Sequence, residues 1–342
     1  MPASLRANAP AGMRRRTSEA RQEALHGSLM NDLFPAPSPG HHIVVPGSTS
    51  NLGPGFDALG LALRCYLRLR ILGAGDGPPG TLTWRFGGPA PDGENYIERG
   101  FRTLAGDTIA RVPALHVEVT SDIPMKAGLG SSAAAIVAGF RLFEACAGPQ
   151  PLDRLLDLAA GLEGHPDNTS ASLLGGFVAC CRTAGGRVAA IAARWPEDLH
   201  VVVATPAVTL ETKMARAALP RQVPLADAVS NVQRAALLVQ SVASRDRQAL
   251  REAFHDRLHQ PYRAALVPGL AEALTFDHPA LYGVFLSGAG PSIAAIVADE
   301  GAAVRGMFER LYRDLGLAVS VRRFDVHQPG EAGGVSEARS AS

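Results

Sequence analysis

From His42 onward the chain alternates short apolar runs with stretches of helical periodicity. The switches fall at clusters of glycine, proline, serine and asparagine. The pattern predicts strands at Ile43–Pro46, Arg64–Leu72, Thr81–Phe86 and Leu115–Thr120, a glycine, serine and asparagine loop at Gly47–Gly55, and a helix at Tyr96–Ala110. The clearest helix is Ser131–Ala147, with a serine at its start, an alanine-rich interior and Gly148-Pro149 at its end. A helix at Leu152–Leu162 follows, then a strand pair at Gly176–Arg182 and Val188–Arg194, and a buried strand at Val201–Thr205. Residues 211–276 read as mostly helical, broken at Pro224, Pro261 and Pro268. The last part predicts a strand at Tyr282–Leu286, a glycine loop, a strand at Ile293–Val297, a helix at Ala302–Leu315 and a strand at Leu317–Phe324. This is an α+β pattern in two halves, an N-terminal domain over residues 41–200 and a C-terminal domain over 201–326. Residues 1–40, rich in Ala, Arg, Ser and Pro, read as a disordered extension, and 327–342 as a flexible tail.

Composition narrows the class. With 342 residues, 46% hydrophobic and 19% charged, the chain has ample material for a core and suits a globular enzyme. Its 33 basic and 32 acidic residues leave a net charge of +1, which excludes a coat for nucleic acid or for an anionic membrane. No apolar run approaches the roughly 18–20 residues that a bilayer span needs. Arg14, Arg15 and Arg16 have no apolar stretch behind them, so a secretory signal is not expected and the expected location is cytoplasmic. Cys65, Cys146, Cys180 and Cys181 form no C-x-x-C pair, which points to reduced thiols. Only two of the 33 basic residues are lysines, Lys126 and Lys213. A coding bias towards arginine explains the scarcity, but not where those two stand.

The segment Ile123-Pro124-Met125-Lys126-Ala127-Gly128-Leu129-Gly130-Ser131-Ser132-Ala133-Ala134 leads from a strand through glycines into the best helix. Free N–H groups and the positive end of the helix dipole converge there, as a polyphosphate requires. Gly128 and Gly130 would let the backbone approach phosphate oxygens, and Ser131 and Ser132 add hydroxyls for phosphate or a metal ion. No lysine follows the second glycine, so this is not a P-loop. A serine-capped helix after a glycine turn is the competing reading, and the residues alone leave both open.

The string P-x-x-x-G-L-G-S-S-A-A resembles the ATP-binding loop of the GHMP kinase superfamily. Two further stretches resemble its other motifs: Pro46-Gly47-Ser48-Thr49-Ser50-Asn51-Leu52-Gly53-Pro54-Gly55-Phe56-Asp57 and Leu286-Ser287-Gly288-Ala289-Gly290-Pro291-Ser292. Glu163-Gly164-His165-Pro166-Asp167-Asn168, Thr212-Lys213-Met214-Ala215-Arg216 and His259-Gln260-Pro261-Tyr262-Arg263 are similar to signatures of its homoserine kinase branch.

The resemblance implies a ribosomal-protein-like N-terminal domain, a ferredoxin-like C-terminal domain, and ATP- and Mg²⁺-dependent phosphorylation of the L-homoserine hydroxyl on the way to threonine. It places Asn95, Lys126 and residues Pro124 to Ala134 on ATP, with Ser132 and Glu163 as Mg²⁺ ligands. It puts Arg216 and Arg263 on the substrate carboxylate, Asp57 on the ammonium, and Asn51 and Asn168 on the hydroxyl. His165 and Thr212 complete the substrate set. Asp167 sits where a base would act, but phosphoryl transfer through a loose transition state needs little nucleophilic push. The expectation is therefore that Asp167 orients Asn168 and His165. Family members are often dimers, which implies a homodimer. The alternatives are another GHMP small-molecule kinase, such as one acting on mevalonate, and a non-catalytic GHMP-fold binding protein.

Overall fold

The computed structural model describes residues 33–331 apart from residue 92. It holds two sheets. The first contains β1 (His42–Ser50), β2 (Leu59–Ala74), β3 (Leu82–Phe86), β4 (Leu115–Ser121), β5 (Phe177–Arg182) and β6 (Val188–Ala193). Their order is β3-β4-β2-β5-β6, with β1 also paired to β2; only β3 and β4 run parallel. The second contains β7 (His200–Pro206), β8 (Leu281–Leu286), β9 (Ile293–Val297) and β10 (Val319–Phe324), antiparallel in the order β10-β7-β9-β8. The chain thus passes from one sheet to the other between Ala193 and His200.

Alternation from Leu63 onward makes β2 the spine of the first sheet: Leu63, Cys65, Leu67, Leu69 and Ile71 are all buried, and Leu59 to Leu63 are buried on both faces. Four helices accompany this sheet: α1 (Tyr96–Ala105), α2 (Ser131–Ala147), α3 (Leu152–Glu163) and α4 (Asp167–Leu174). Gly100 and Gly139 let α1 and α2 pack almost backbone to backbone; a side chain at either would strike the facing carbonyl of Ile136 or Ile97. The remaining helices are α5 (Thr212–Ala217), α6 (Leu225–Ser244), α7 (Arg247–Glu252), α8 (Gln260–Arg263), α9 (Leu270–Ala273) and α10 (Ala302–Asp314). Through Val304, Phe308 and Tyr312, α10 builds a second core with β7, β8 and β9.

Several expectations change. The predicted loop Gly47–Gly55 is strand as far as Ser50, because Gly47–Ser50 pair with Leu63–Gly60 beyond a register shift at Pro46/Gly47. The helix expected to reach Ala110 ends at Ala105, and Gly106 to Arg111 tighten into a 3₁₀ turn. Helix α4 is not anticipated at all. Its sequence, DNTSASLL, is rich in poor helix formers, yet Asp167 to Leu173 are all buried. Packing, not propensity, holds it: the backbone at Gly60 of β2 lies so close to Asp167 that no Cβ would fit.

Ordered contacts reach into both stretches expected to be loose. Phe34 sits edge-on to Phe143, 6.1 Å between centroids, and donates its N–H to Arg111. At the other end His327 and Gln328 are buried, with Gln328 hydrogen bonded to both the N–H and the carbonyl of Trp195. Residues 1–32 of the predicted extension and 332–342 of the predicted tail lie outside the described residues.

Candidate active site

Three turns distant in sequence meet at the junction of the two sheets. Ser287 Oγ donates to Gly128 O at 2.7 Å, and Ser48 N–H to Leu129 O at 3.1 Å. Thr49 Oγ1 shares a hydrogen bond with Ser287 Oγ at 2.8 Å. Asn51 Nδ2 donates to Gly288 O at 2.9 Å. These bonds give the loop glycines a second role. A Cβ on Gly128 would collide with Ser287 O, and one on Gly130 with Ser48 Oγ. Their small size therefore serves the seam between turns, and both also adopt left-handed φ, +75° and +67°.

Gly130, not Ser131, is the N-cap of α2, and no side chain caps it. The first-turn N–H groups of this 17-residue helix are therefore left without a side-chain acceptor, with Ser131 and Ser132 at their edge. Ser132 Oγ donates to Glu163 Oε1 at 2.6 Å. Glu163 makes no ion pair among the described residues, and burial pushes its carboxyl above the usual range against the Ser132 hydrogen bond. Pro124 and the buried Ala127 and Leu129 seat the loop, while Met125 and Lys126 are exposed. Lys126 has a left-handed φ of +54° and no ion-pair partner among the described residues. Ala133 and Ala134 are buried inside α2. Asn95 is the N-cap of α1: its Oδ1 accepts from Ile97 N–H and Glu98 N–H, which gives it a structural task of its own.

Opposite this loop, α4 presents a buried polar cluster. Asp167 Oδ1 accepts from His165 Nδ1 and, at 2.8 Å, from Asn168 N–H. Burial disfavours both charges, but each holds the other ionised. His165 is pushed up to about 9 by the Asp167 carboxylate, with Glu163 and Asp57 adding to it, and Asp167 is held below its usual range. Asn168 bridges the first motif, with Oδ1 accepting from Ser48 Oγ at 2.9 Å and Nδ2 donating to Ser50 Oγ at 2.8 Å. Asn51 is similarly occupied, since its Oδ1 accepts from Asp57 N–H at 3.0 Å. Each asparagine keeps one amide proton for a ligand.

The two arginines differ. Arg216 is half-exposed and forms a two-pronged pair with Asp57, both bonds 2.9 Å. Arg263 is buried at 2% exposure and meets only neutral acceptors: Ala215 O at 3.1 Å, Gly288 O at 3.2 Å and His259 Nδ1 at 3.3 Å. Burial, and then Arg216, lower its pKa to about 10, so it stays charged at neutral pH. Phe56 lies between them, 5.6 Å from Arg216 and 5.2 Å from Arg263, and stacks on His259 at 5.1 Å. Thr212 and Lys213 are exposed on the first turn of α5, ahead of Arg216.

Asp57, His165 and Asp167 each place a potential ligand atom within 4.8 Å of the others. A protonated His165 and an Arg216-bound Asp57 make this trio unsuited to a cation of its own. Asp167 is paired with His165 and Asp57 with Arg216, which leaves Arg263 as the cation of the cluster with no carboxylate bonded to it among the described residues, a place for an anionic group.

Every sequence-predicted residue except Asn95, whose task is a cap, lies on one of these turns or on the helices that meet them. Phe56, His259, Ser48, Ser50 and Ser287 belong to the same network but carried no individual signal beyond lying inside the motifs. Concavity gives no better guide: a cavity of about 240 Å³ beside Trp195 and His200 contains none of the predicted residues.

Comparison with known families matches residues 95–176 to the GHMP kinases N terminal domain and residues 236–313 to the GHMP kinases C terminal domain. Two sheets joined by three glycine-bearing turns thus define a GHMP kinase, an ATP-using small-molecule kinase. Homoserine kinase of Solibacter usitatus is 40% identical over 296 residues, 84% of this chain and 95% of that protein. That of a Synechococcus strain is 39% identical, covering 84% and 96%. The crystal structure of homoserine kinase from Cytophaga hutchinsonii superposes with a TM-score of 0.74 at 26% identity, covering 87% of this chain and 98% of that one. The chain belongs to the homoserine kinase family.

Proposed function

We propose that this protein transfers the γ-phosphoryl group of ATP to the side-chain hydroxyl of L-homoserine, giving O-phospho-L-homoserine for threonine synthesis. The observation that carries the reading is a charge pattern matched to an amino-acid zwitterion. Arg263 is buried with no carboxylate bonded to it among the described residues, and Asp57 stands beside it on Arg216. A carboxylate fits the first and an ammonium the second, whereas mevalonate or a sugar would bring no ammonium to Asp57, which would keep Arg216 alone.

ATP phosphates fit the uncapped N-terminus of α2, with Lys126 free to meet them. Ser132 and Glu163 offer hard oxygen ligands, and a partly buried carboxylate with no cation of its own suits Mg²⁺, which neutralises phosphate charge when bound. The remaining amide protons of Asn51 and Asn168 position the acceptor hydroxyl. Asp167 is a poor base, because its pKa is lowered and its oxygen already serves His165 and Asn168. Positioning then supplies most of the rate, as a loose transition state allows.

The test is ADP release with a panel of L-homoserine, L-threonine, L-serine, mevalonate and galactose. Turnover of homoserine well above the others is expected; turnover of mevalonate with none on homoserine overturns the reading.

We also propose a homodimer, supported by the outer face of α6. Leu225, Val229, Val232, Ala236, Val239 and Ala243 are all exposed there, alternately four and three residues apart. The spacing reads the same in both directions, so an antiparallel copy would set Leu225 against Ala243 and Val229 against Val239. Only Asp227 and Arg234 are charged along this helix, and each is bonded within the chain, to Arg257 and Ser230. Light scattering should give twice the chain mass, falling to one for Val232→Glu; a wild-type monomer at micromolar concentration overturns this proposal.

A further inference from the structure

Arg263 could not serve as an anion receptor if its own protein neutralised it, yet a buried guanidinium needs partners to stay in one place. His259 answers both needs. It is fully buried, four residues before Arg263. Its Nε2 lies 2.9 Å from Gly53 O, and a carbonyl only accepts, so Nε2 carries the proton. Its Nδ1 lies 3.3 Å from Arg263 Nη1, and a guanidinium only donates, so Nδ1 offers a lone pair. The two contacts together require the neutral imidazole, protonated at Nε2.

The surroundings enforce that form. Asp256, 3.6 Å from Nε2, is committed elsewhere: it accepts from Asn231 Nδ2 and from the N–H groups of Leu258, His259 and Gln260. Those bonds seat the start of α8, which carries Arg263. Burial and then the Arg263 charge lower the His259 pKa against the pull of Asp256. Phe56 covers the imidazole face at 25°. With Nε on Ala215 O and Nη1 on His259 and Gly288 O, the Nη2 donors of Arg263 take no acceptor among the described residues.

We propose that His259 is a positioning residue for the acceptor substrate: as a neutral hydrogen-bond acceptor anchored to Gly53 of the first motif, it orients Arg263 towards the substrate carboxylate without cancelling its charge. This rests on the homoserine reading above and adds to it a residue that touches no substrate. It also explains how the first motif and α8, 206 residues apart along the chain, act on one ligand group.

Two isosteric variants separate the contacts. His259→Gln keeps an N–H donor where Nε2 stands but loses the acceptor facing Arg263. His259→Asn keeps an acceptor where Nδ1 stands and loses the bond to Gly53. The expected result is a KM for L-homoserine raised about tenfold in His259→Gln, with KM for ATP and kcat within about threefold, and most of the affinity recovered in His259→Asn; tenfold corresponds to about 1.4 kcal/mol. An unchanged homoserine KM in His259→Gln overturns the proposal. So do equal rises in both variants, or a matching rise in KM for ATP. ¹⁵N NMR of the wild-type histidines covers the case of a variant that does not fold: a neutral, Nε2-protonated His259 at pH 7 is expected, and an imidazolium or Nδ1-protonated ring overturns it. Absence of homoserine turnover by the wild type would sink the functional reading instead, and the NMR result would still decide the His259–Arg263 geometry.

Discussion

At the glycine-loop end of the site, the groups turned outward are backbone N–H groups at the start of α2 and one exposed lysine. At the α4 end they are charged side chains, most already paired: His165 with Asp167, Arg216 with Asp57. The first end suits a ligand bound through many similar oxygens, where dipoles and hydroxyls suffice. The second suits a ligand with two opposite charges at fixed spacing, where each protein charge must be present but restrained. Arg263 is the exception within the second end, buried and held only by neutral atoms. The difference teaches where specificity resides: the phosphate end is generic, and the selective element is an arginine kept unneutralised.

The sharpest break of this contrast is to remove each arginine in turn. Arg263→Ala should lower kcat/KM for homoserine by about a thousandfold, since losing one partner of a buried charge pair costs about 2–5 kcal/mol. Arg216→Ala, half-exposed and already satisfied by Asp57, should cost about fivefold or less, because exposed pairs contribute about 1 kcal/mol or less. Steady-state kinetics that ranked the two in reverse order would refute the contrast.

A pH series probes the paired charges. The folded pKa of His165, about 9, lies above its ordinary value of 6.5. Its pair with Asp167 therefore stabilises the fold fully below pH 6.5, and that contribution is lost as pH rises through 9. Denaturant unfolding in metal-free buffer should show wild type losing up to about 3 kcal/mol across that window, with a flatter profile for His165→Gln. Because the Asp167 pKa is lowered, the same pair weakens again in acid, as pH falls through the carboxylate range. Parallel profiles for the two proteins between pH 6.5 and 9 would show the pair to be energetically idle.

The smallest effect belongs to the generic end. Lys126→Ala should raise KM for ATP several-fold, as one phosphate contact among several is lost, and leave KM for homoserine unchanged. A change confined to homoserine would place Lys126 at the wrong end.

Much of this was legible in the sequence. The alternation of β2 and the alanine-rich body of α2 announce themselves, the first through its period of two and the second through a composition that favours helix, with Ala133 to Phe140 buried without a break. The motif strings mark the three turns but not the contact between them. Helix α4 carries no local signal, because tertiary packing holds an Asp-Asn-Thr-Ser start that local propensity disfavours. The seam role of Gly128 is hidden for a related reason: the atom that forbids a Cβ there belongs to Ser287, 159 residues away. His259 and Phe56 lay inside quoted motifs, yet their roles depend on Gly53 and Arg263, which periodicity cannot pair with them. Local pattern reveals elements, whereas long-range contact decides what a glycine or histidine is for.

The central claim is that Arg263 reads the carboxylate of an amino-acid alcohol. Its most direct test compares kcat/KM for L-homoserine with that for 3-amino-1-propanol, which lacks the carboxylate, and for 4-hydroxybutanoate, which lacks the ammonium. The account predicts a far greater loss with 3-amino-1-propanol, because Arg263 is then left buried and unpaired, whereas Asp57 retains Arg216 when the ammonium is missing. Equal losses, or a greater loss with 4-hydroxybutanoate, would contradict it.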